Sequence, residues 1–414
     1  MKFNSVSIIG LGYIGLPTAA IIASNGIRVL GFDVNAHAVD TINHGKIHIV
    51  EPGLEDLVRT AVEAGYLSAH STPQPADVFL VAVPTPFKGE NREPDLRFIC
   101  EAAQSLAPCL EPGNLVILES TSPVGTTELM ASWLAESRPD LTFPHTVKPG
   151  TCPDVLVAYC PERVLPGHVV RELVDNDRII GGLDAASTEA AMAFYRLFVK
   201  NGDCIATSAR TAEMSKLAEN SFRDVNIAFA NELSLICDRQ GIDVWELISL
   251  ANRHPRVNIL QPGCGVGGHC IAVDPWFIVN QNPDLAKLIQ QARLVNDYKP
   301  LYVVEQIEKA LPEQSSRRIA CLGLSFKPNI DDLRESPALN ITRILARCTQ
   351  NEILVVEPHI SALPLELSGL KNVQLVTLEQ ALDQADVVVQ LVKHQQFSDV
   401  AAACVQLIRY MKFC

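Results

Sequence analysis

A single cysteine stands within a glycine-rich segment that leads to an acidic residue. The segment reads GVGGHC at residues 265–270, and Asp274 follows one helical turn later. Glycines before a cysteine allow the backbone to approach a substrate closely, and a helix beginning near Cys270 would favour the thiolate, which is the nucleophilic form. Asp274 would then orient a water or a proton. We interpret Cys270 as reactive, whereas a buried, inert thiol is the ordinary expectation for the other cysteines.

Three polar residues share one face of a segment that is otherwise suited to a helix. Lys216, Asn220 and Arg223 are separated by one turn each, so they project from the same side. A solvated charged face is one explanation. Many hydroxyacid dehydrogenases place a lysine and an asparagine one turn apart beside the nicotinamide, which favours a functional role for this stripe.

An acid–base pair follows another predicted strand, in the segment YCPERV at residues 159–164. Glu162 has the chemistry of a general base, and Arg163 that of an anion contact. A surface pair of opposite charges is the alternative that the sequence leaves open.

The first residues carry the pattern of a dinucleotide site. A short strand leads into the GLGYIG turn, a helix follows, and the next strand ends in an acid. The glycines permit a tight turn, and the helix N-terminus then faces a pyrophosphate, while the acid accepts hydrogen bonds from a ribose. No arginine follows that acid, so NAD is favoured over NADP. The predicted cofactor residues are Gly10, Gly12, Tyr13, Ile14, Gly15 and Asp33.

Three threonines stand near the ends of later strands. Thr85 and Thr121 follow the third and fourth predicted strands, and Thr126 lies near the start of the next helix. Ligands of parallel sheets bind at the carboxyl ends of the strands, which favours cofactor contacts. Turn and cap roles explain the same spacing.

A nicotinamide cofactor together with an activated cysteine indicates oxidation beyond an aldehyde. An aldehyde held on the thiol as a thiohemiacetal can lose a second hydride and become a thioester, which water then opens. A simple two-electron hydroxyacid dehydrogenase, which would not need Cys270, is one alternative. A non-catalytic nucleotide-sugar-binding regulator is another.

Alternating strands and helices position these residues. The pattern predicts an α/β protein with two Rossmann-like, doubly wound domains joined by a helical middle domain. One long helix is expected over 208–239, a segment without Gly or Pro, and residues 318–389 repeat the opening pattern with a single glycine. We expect an NAD-binding domain over 1–206, a central domain over 207–300 and a C-terminal domain over 301–414.

Composition narrows the classes of protein further. The 414-residue chain has a net charge of −13, which argues against nucleic-acid or membrane-surface partners. Its 12 cysteines form no C-x-x-C pair, so we predict no metal site. The first residues do not resemble a signal peptide, and no apolar run reaches the ~18 residues that span a bilayer. These features predict a cytoplasmic protein with reduced thiols.

Taken together, the motifs resemble the UDP-glucose/GDP-mannose dehydrogenase family over nearly the whole chain. The segments that carry the resemblance are GLGYIGLP, VAVPTP, ESTSPVGT, YCPERVLPG, the K-x-x-x-N helix, PGCGVGGHC and GLSFKPNIDDLRESP. The residues after Cys270 and the segment NRHPRVN at 252–258 are similar to the branch that acts on UDP-N-acetylhexosamines.

The resemblance implies roles for individual residues. Cys270 would be the nucleophile, Lys216 the proton donor or acceptor, Asn220 its helper at the oxyanion, and Glu162 and Asp274 would assist water attack and proton transfer. Arg334 would approach NAD from the partner subunit or across the cleft, in a homodimer built on the long helix. The implied substrate pocket comprises Arg163, Val164, Lys216, Asn220, Arg223, His254, Arg256 and Gly267, with Phe326 and Lys327 at the UDP end.

The implied reaction is the four-electron, NAD-dependent oxidation of a UDP-N-acetylhexosamine to its uronate. UDP-N-acetyl-D-mannosamine is the favoured substrate, and UDP-N-acetyl-D-glucosamine, the epimer at carbon 2, is the nearest alternative. The product would serve a surface polysaccharide of the enterobacterial common antigen type. The family's last strand carries an Asp and a Gly, and this chain ends in IRYMKFC, so we expect an altered or truncated edge of the last sheet.

Overall fold

A computed structural model describes residues 3–89, 91–148, 150–165, 167–311, 317–347, 351–400 and 409–414. The chain forms two compact units, 1–218 and 219–414. The predicted domain boundaries after residues 206 and 300 stay predictions.

The first unit is built on an eight-stranded sheet. Its strand order is β10-β9-β8-β7-β4-β1-β2-β3, and all neighbours are parallel except β8 and β9. A separate antiparallel pair, β5–β6, forms a small hairpin. The ten strands are β1 (Ser5–Ile9), β2 (Arg28–Phe32), β3 (Leu67–His70), β4 (Val78–Val81), β5 (Phe87–Lys88), β6 (Glu93–Pro94), β7 (Leu115–Leu118), β8 (Leu156–Tyr159), β9 (Arg178–Gly182) and β10 (Cys204–Ser208).

Helices cover both faces of this sheet, which is why its central strands are apolar throughout. The order of the six strands β8-β7-β4-β1-β2-β3 is that of a doubly wound nucleotide-binding domain. The helices are α1 (Gly15–Ser24), α2 (Ala36–Asn43), α3 (Leu54–Glu63), α4 (Arg97–Leu106), α5 (Thr126–Ser137), α6 (Val169–Asp175) and α7 (Ala185–Tyr195).

The long helix predicted over 208–239 is confirmed as α8 (Ala209–Gln240). It continues through the boundary between the two units. The chain turns at Gly241, whose φ of +68° is readily adopted only by glycine.

The second unit combines helices with a five-stranded parallel sheet of order β13-β12-β11-β14-β15. Its strands are β11 (Arg317–Leu322), β12 (Asn351–Val356), β13 (Val373–Leu375), β14 (Val387–Gln390) and β15 (Arg409–Lys412). Its helices after α8 are α9 (Val244–Ala251), α10 (Asp274–Gln281), α11 (Lys287–Ala310), α12 (Pro337–Arg347), α13 (Leu365–Ser368) and α14 (Leu378–Gln384).

The internal repeat predicted from the sequence is visible at the first turn of each sheet. Gly10 and Gly323 both follow the first strand of their sheet, with φ of +95° and +93°. Asp33 accepts the N–H of Leu11, and Glu357 accepts the N–H of Leu324, so an acid after the second strand holds the turn in both sheets. The predicted fold class is confirmed.

Of the expected altered or truncated last edge, truncation is wrong, whereas the altered sequence is present in the edge strand itself. β15 pairs in parallel with β14 from Arg409 to Lys412, so the sheet is completed by the terminal residues themselves. Backbone hydrogen bonds depend little on side-chain identity, and the apolar Met411 packs on the core. A sequence without the Asp and Gly of the family's last strand therefore forms β15.

Among the described residues, no helix has the length and apolar character needed to cross a membrane.

Candidate active site

The glycine turn after β1 leaves room for a ligand at one position only. A Cβ on Gly10 would lie 2.7 Å from the Ala82 carbonyl oxygen, and one on Gly15 would lie 1.8 Å from that of Gly10. A Cβ on Gly12 would meet no protein atom within 4 Å. The first and third glycines therefore permit close packing, while the backbone at Gly12 faces open space, as a bound pyrophosphate requires.

Asp33 lies at the end of β2, where a ribose would be bound. Its carboxylate accepts the N–H groups of Leu11 at 2.9 Å and Asn35 at 2.8 Å, and each oxygen retains capacity for a hydroxyl. His48, which the sequence analysis did not identify, belongs to the same region. Burial lowers the pKa of His48, while the charge of Asp33 acts in the opposite direction. No local motif marks His48, because a loop brings it near Asp33.

Two of the three threonines lie together at the carboxyl edge of the sheet. The Thr85 hydroxyl donates to the backbone oxygen of Thr121 at 2.5 Å. Thr126 begins α5, as predicted, and its hydroxyl donates to the Pro123 carbonyl. Glu213 from α8 accepts the N–H groups of Gly125 and Thr127, and so caps the helix N-terminus.

Glu162 is buried after β8 and does not form the surface pair that was the alternative interpretation. Its partner is Arg178, the first residue of β9, at 2.6 Å. The other Glu162 oxygen accepts the N–H of Arg163. Arg163 is half-buried and donates to the Asp177 carbonyl, and Val164 packs on the core.

The three residues predicted on one face of α8 differ in their exposure to solvent. Lys216 is half-buried, Asn220 is buried and Arg223 is exposed. Asn220 donates through its side-chain amide to the Asp274 carboxylate at 2.5 Å.

Cys270 lies in a turn rather than in a helix. α10 begins at Asp274, so the helix that the sequence analysis placed near Cys270 starts one turn later. The Asp274 N–H donates to the Cys270 carbonyl at 2.8 Å, which fixes the exposed cysteine just before the helix. Of the predicted residues, Cys270, Asp274 and Asn220 are therefore brought together.

The glycines before Cys270 pack tightly on the turn after β11. A Cβ on Gly267 would lie 2.8 Å from Cβ of Phe326, and one on Gly268 would lie 2.8 Å from its ring. Gly268 also donates its N–H to the Arg334 carbonyl. The predicted substrate residues Gly267 and Phe326 are thus in contact. Lys327 follows, half-buried, in the same turn.

A cavity of about 430 Å³ lies beside this contact within the second unit. Trp245 and Phe326 supply aromatic surface, and Lys393 and Lys412 supply positive charge. The Lys412 ammonium lies 5.8 Å from the Trp245 ring centroid. Aromatic faces with nearby cations suit a nucleobase and its phosphates.

Three further predicted residues lie at exposed positions. His254 and Arg256 belong to the loop after α9, and the Arg256 N–H donates to Nδ1 of His254. Arg334 forms a two-bonded ion pair with Asp332. Burial raises the pKa of Asp332, but the bonds from Arg334 outweigh it and lower the pKa overall.

A buried chain of polar side chains holds the loop before Cys270. The Gly263 N–H donates to Asn231, whose amide donates to Asn296, whose amide in turn donates to Asp224. Arg293 pairs with Asp224 at 2.6 Å. No local sequence pattern indicates this network, because it joins α8, α11 and the loop that contains Gly263.

Glu357, His359 and His394 have metal-ligand chemistry, with ligand atoms within 4.8 Å of one another. Asn329 donates its N–H to Nδ1 of His394, so the ring proton is on Nε2, which faces the Glu357 carboxylate at 3.1 Å. A metal on Nε2 would displace that proton. The cluster is better explained as a set of hydrogen bonds that stabilises the turn after β11.

Comparisons with known proteins agree with this organisation. Residues 4–199 match the NAD binding domain of the UDP-glucose/GDP-mannose dehydrogenase family, residues 210–298 its central domain and residues 320–411 its UDP binding domain. The fold and site thus define a nucleotide-binding oxidoreductase. The chain belongs to the UDP-glucose/GDP-mannose dehydrogenase family, and is an NAD-dependent nucleotide-sugar dehydrogenase. The predicted family and cofactor are confirmed.

Individual relatives are similar over almost their whole length. A UDP-N-acetyl-D-mannosamine dehydrogenase of Campylobacter jejuni is 64% identical over 94% of both chains. An NDP-N-acetyl-D-galactosaminuronic acid dehydrogenase of Ralstonia nicotianae is 61% identical over 94% of this chain and 90% of its own. The solved UDP-D-ManNAc dehydrogenase of Pyrococcus horikoshii is 37% identical with a TM-score of 0.87, over 99% of this chain and 95% of its own.

Proposed function

We propose that this enzyme oxidises UDP-N-acetyl-D-mannosamine to UDP-N-acetyl-D-mannosaminuronate in two NAD-dependent steps. The observation that carries the proposal is the turn in which Cys270 precedes Asp274, which is itself held by Asn220. This arrangement presents an exposed thiol beside a buried carboxylate. A nucleophile and an acid–base group are both needed for a thioester route.

The first unit would hold the cofactor. The open backbone at Gly12 fits a pyrophosphate and the carboxylate of Asp33 fits the adenosine ribose. Tyr13, Ile14, Thr85 and Thr121 would contribute further contacts, and Thr126 would act through the start of α5. We extend the proposal to Arg334 as an NAD contact, which its exposure allows.

NAD held by the first unit would supply the hydride acceptor for carbon 6 of the sugar in each oxidation. The side chains of the enzyme move the protons and hold the carbon skeleton. Lys216 would take the proton of the sugar hydroxyl, and Lys216 with Asn220 would stabilise negative charge on the oxygen. Cys270 would hold the aldehyde covalently, and Glu162 and Asp274 would direct water to the thioester.

The second unit would hold the UDP group. The cavity beside Phe326, with its aromatic surface and two lysines, suits a uracil ring and a diphosphate. The predicted sugar contacts remain Arg163, Val164, Arg223, His254, Arg256, Gly267 and Lys327, which differ in exposure from half-buried to fully accessible.

A different N-acetylhexosamine is the second candidate substrate. The Ralstonia relative is 61% identical and its name refers to a galactosaminuronic acid. UDP-N-acetyl-D-glucosamine, the epimer at carbon 2, stays the nearest alternative from the sequence analysis. These sugars differ only in ring stereochemistry, so a few pocket contacts decide among them.

Three further features belong to the proposal. The exposed apolar residues Phe222, Phe229 and Ile236 recur every seven positions on α8, and support a homodimer built on that helix. The 12 cysteines without a C-x-x-C pair fit reduced thiols and support a cytoplasmic enzyme. The uronate product would serve surface polysaccharide synthesis of the enterobacterial common antigen type.

A substrate panel tests the assignment. Purified enzyme with NAD is given the UDP derivatives of N-acetylmannosamine, N-acetylglucosamine and N-acetylgalactosamine, and kcat/KM is measured from NADH absorbance. We expect the mannosamine derivative to be preferred by at least about tenfold, which corresponds to about 1.4 kcal/mol. Preference for the glucosamine or the galactosamine derivative would transfer the assignment to that sugar. If the enzyme reduced NAD with none of the three UDP sugars, the assignment would be overturned.

A further inference from the structure

A buried polar cluster surrounds Glu162 in the first unit. Glu119 follows β7 and Glu162 follows β8, so both carboxyl groups lie at the carboxyl edge of the sheet. Arg178 donates to Glu162 at 2.6 Å, and the Tyr195 hydroxyl donates to Glu119 at 2.6 Å. These four side chains are almost completely buried. Side chains of this kind are rarely enclosed without a specific purpose.

The contacts link the two carboxyl groups through one cation. The Arg178 guanidinium lies 5.7 Å from the ring centroid of Tyr195, and its second nitrogen donates to the Leu173 carbonyl. Arg178 is therefore held from three directions, and it presents one N–H to Glu162. The oxygen of Glu119 that does not meet Tyr195 is buried and has no hydrogen-bond partner among the described residues.

We propose that Arg178, Glu119 and Tyr195 are positioning residues that hold Glu162 in place and set the charge of its surroundings for water attack on the thioester. The inference rests on the proposed function, in which Glu162 assists that step. Arg178 fixes the carboxylate geometrically. Glu119 adds a second negative charge beside it when ionised, and Tyr195 stabilises that ionised form.

The electrostatics support this arrangement. Burial raises the pKa of Glu119 to about 7, repulsion from Glu162 adds to the effect, and the bonds and charges of Tyr195 and Arg178 oppose it. Cys160 and Cys204 also interact with Arg178, and burial raises the pKa of both thiols. Glu119 thus changes charge near neutral pH. Its ionisation places a second negative charge beside the Glu162–Arg178 pair, which favours proton removal from an attacking water, so hydrolysis should accelerate as pH rises through about 7.

The experiment separates hydrolysis from oxidation by single-turnover kinetics. Enzyme is mixed with UDP-N-acetyl-D-mannosamine and NAD, and the NADH burst and the mass of the acylated protein are followed from pH 5.5 to 9.5. We expect Arg178→Met to slow hydrolysis by about 10- to 100-fold and to accumulate the acyl-enzyme, with the burst retained. Arg178→Lys should recover part of the rate. Arg171→Met, an exposed arginine on α6, is the matched control.

The pH profiles give a readout that a purely structural role would not change. Glu119→Gln, which keeps an acceptor for Tyr195, should remove the inflection near pH 7. Tyr195→Phe should move it to higher pH, because the phenol no longer stabilises the ionised carboxylate. Thermal unfolding identifies any variant that fails to fold.

Two results would overturn the inference. One is an unchanged hydrolysis rate in folded Arg178→Met, and the other is an unchanged inflection in folded Glu119→Gln. A wild-type enzyme that never acylates Cys270 would instead overturn the proposed function itself, so the two failures are distinguishable.

Discussion

The side-chain amide of Asn220 donates to the carboxylate of Asp274 across 2.5 Å, and both groups are buried. Asp274 is also the first residue of α10, and its N–H donates to the carbonyl of Cys270. α8 therefore fixes the acid that lies next to the thiol. The position of the carboxylate depends on a residue fifty-four positions away in the chain.

Replacing Asn220 with alanine tests this relationship. The variant lacks the amide donor, and a buried charged group that loses a hydrogen bond costs about 1–3 kcal/mol. We expect kcat to fall by about tenfold or more, with a smaller change in the KM for NAD. Steady-state kinetics measure both values. Asn226→Ala on the same helix is the control, and equal kcat values in the two variants would contradict the assigned role.

Replacing Cys270 with serine tests the covalent step. A serine hydroxyl is a far weaker nucleophile than a thiolate at neutral pH, so the acyl-enzyme should not form. We expect NAD binding by calorimetry to be unchanged and product analysis to show no uronate. Cys152→Ser changes another exposed cysteine and should behave like the wild type. Full uronate formation by Cys270→Ser would exclude the thioester route.

Replacing Asp33 with alanine tests the ribose contact. The change removes the acceptor that is expected to bind the ribose hydroxyls, and it also frees the N–H of Leu11. We expect the Kd for NAD to rise by about 10- to 100-fold, a loss of about 1.4–2.8 kcal/mol, while UDP binding changes little. Calorimetric titration with NAD and with UDP measures both. Asp40→Ala is the exposed control, and equal losses for both ligands would refute the assignment.

Replacing Phe229 with aspartate tests the proposed dimer. Phe229 is 53% exposed and lies between Phe222 and Ile236 on the apolar face of α8. A charge in the centre of a buried apolar interface would be desolvated without a partner, which is costly. We expect a monomer in sedimentation velocity. Phe98→Asp, at a 40% exposed position of α4, should stay dimeric. A monomeric wild-type protein would remove the basis of the proposal.

The pH dependence of stability tests the state of Glu119. Its folded pKa of about 7 lies above the ordinary value of 4.5, so the folded state retains the proton more strongly than the unfolded state. The associated stability is present below about pH 4.5 and is lost as pH rises through about 7, with an upper limit of about 3 kcal/mol. Urea unfolding of wild type and Glu119→Gln should therefore diverge between pH 5 and 8, in favour of the variant at high pH. If the free energy of unfolding had the same pH dependence in wild type and Glu119→Gln, the raised pKa of buried Glu119 would be contradicted.

Local patterns predicted most of the fold. The central strands are continuous apolar runs, α8 lacks Gly and Pro, and the glycine turn has an acid after the next strand. Each of these features is encoded within a few neighbouring residues. The same holds for the positions of Cys270 and Asp274, because their spacing alone places them one turn apart.

Pairing between distant segments could not be predicted in the same way. The strand β15 was not predicted, because its backbone pairing with β14 requires no recognisable motif in residues 409–412. Sequence patterns did not predict the contact between Glu162 and Arg178 or that between Glu119 and Tyr195. Each contact joins residues from separate elements. The start of α10 was placed too early, because the turn at Cys270 is stabilised by backbone bonds from Val273 and Asp274 to the Cys270 carbonyl that no residue type reveals.

The amount of NADH formed per sugar tests the central claim most directly. The enzyme is incubated to completion with limiting UDP-N-acetyl-D-mannosamine and excess NAD, and NADH and uronate are both quantified. The account predicts two NADH and one uronate per sugar, because the aldehyde stays on Cys270 until the second oxidation and hydrolysis are finished. One NADH per sugar, with free aldehyde as the product, would contradict it.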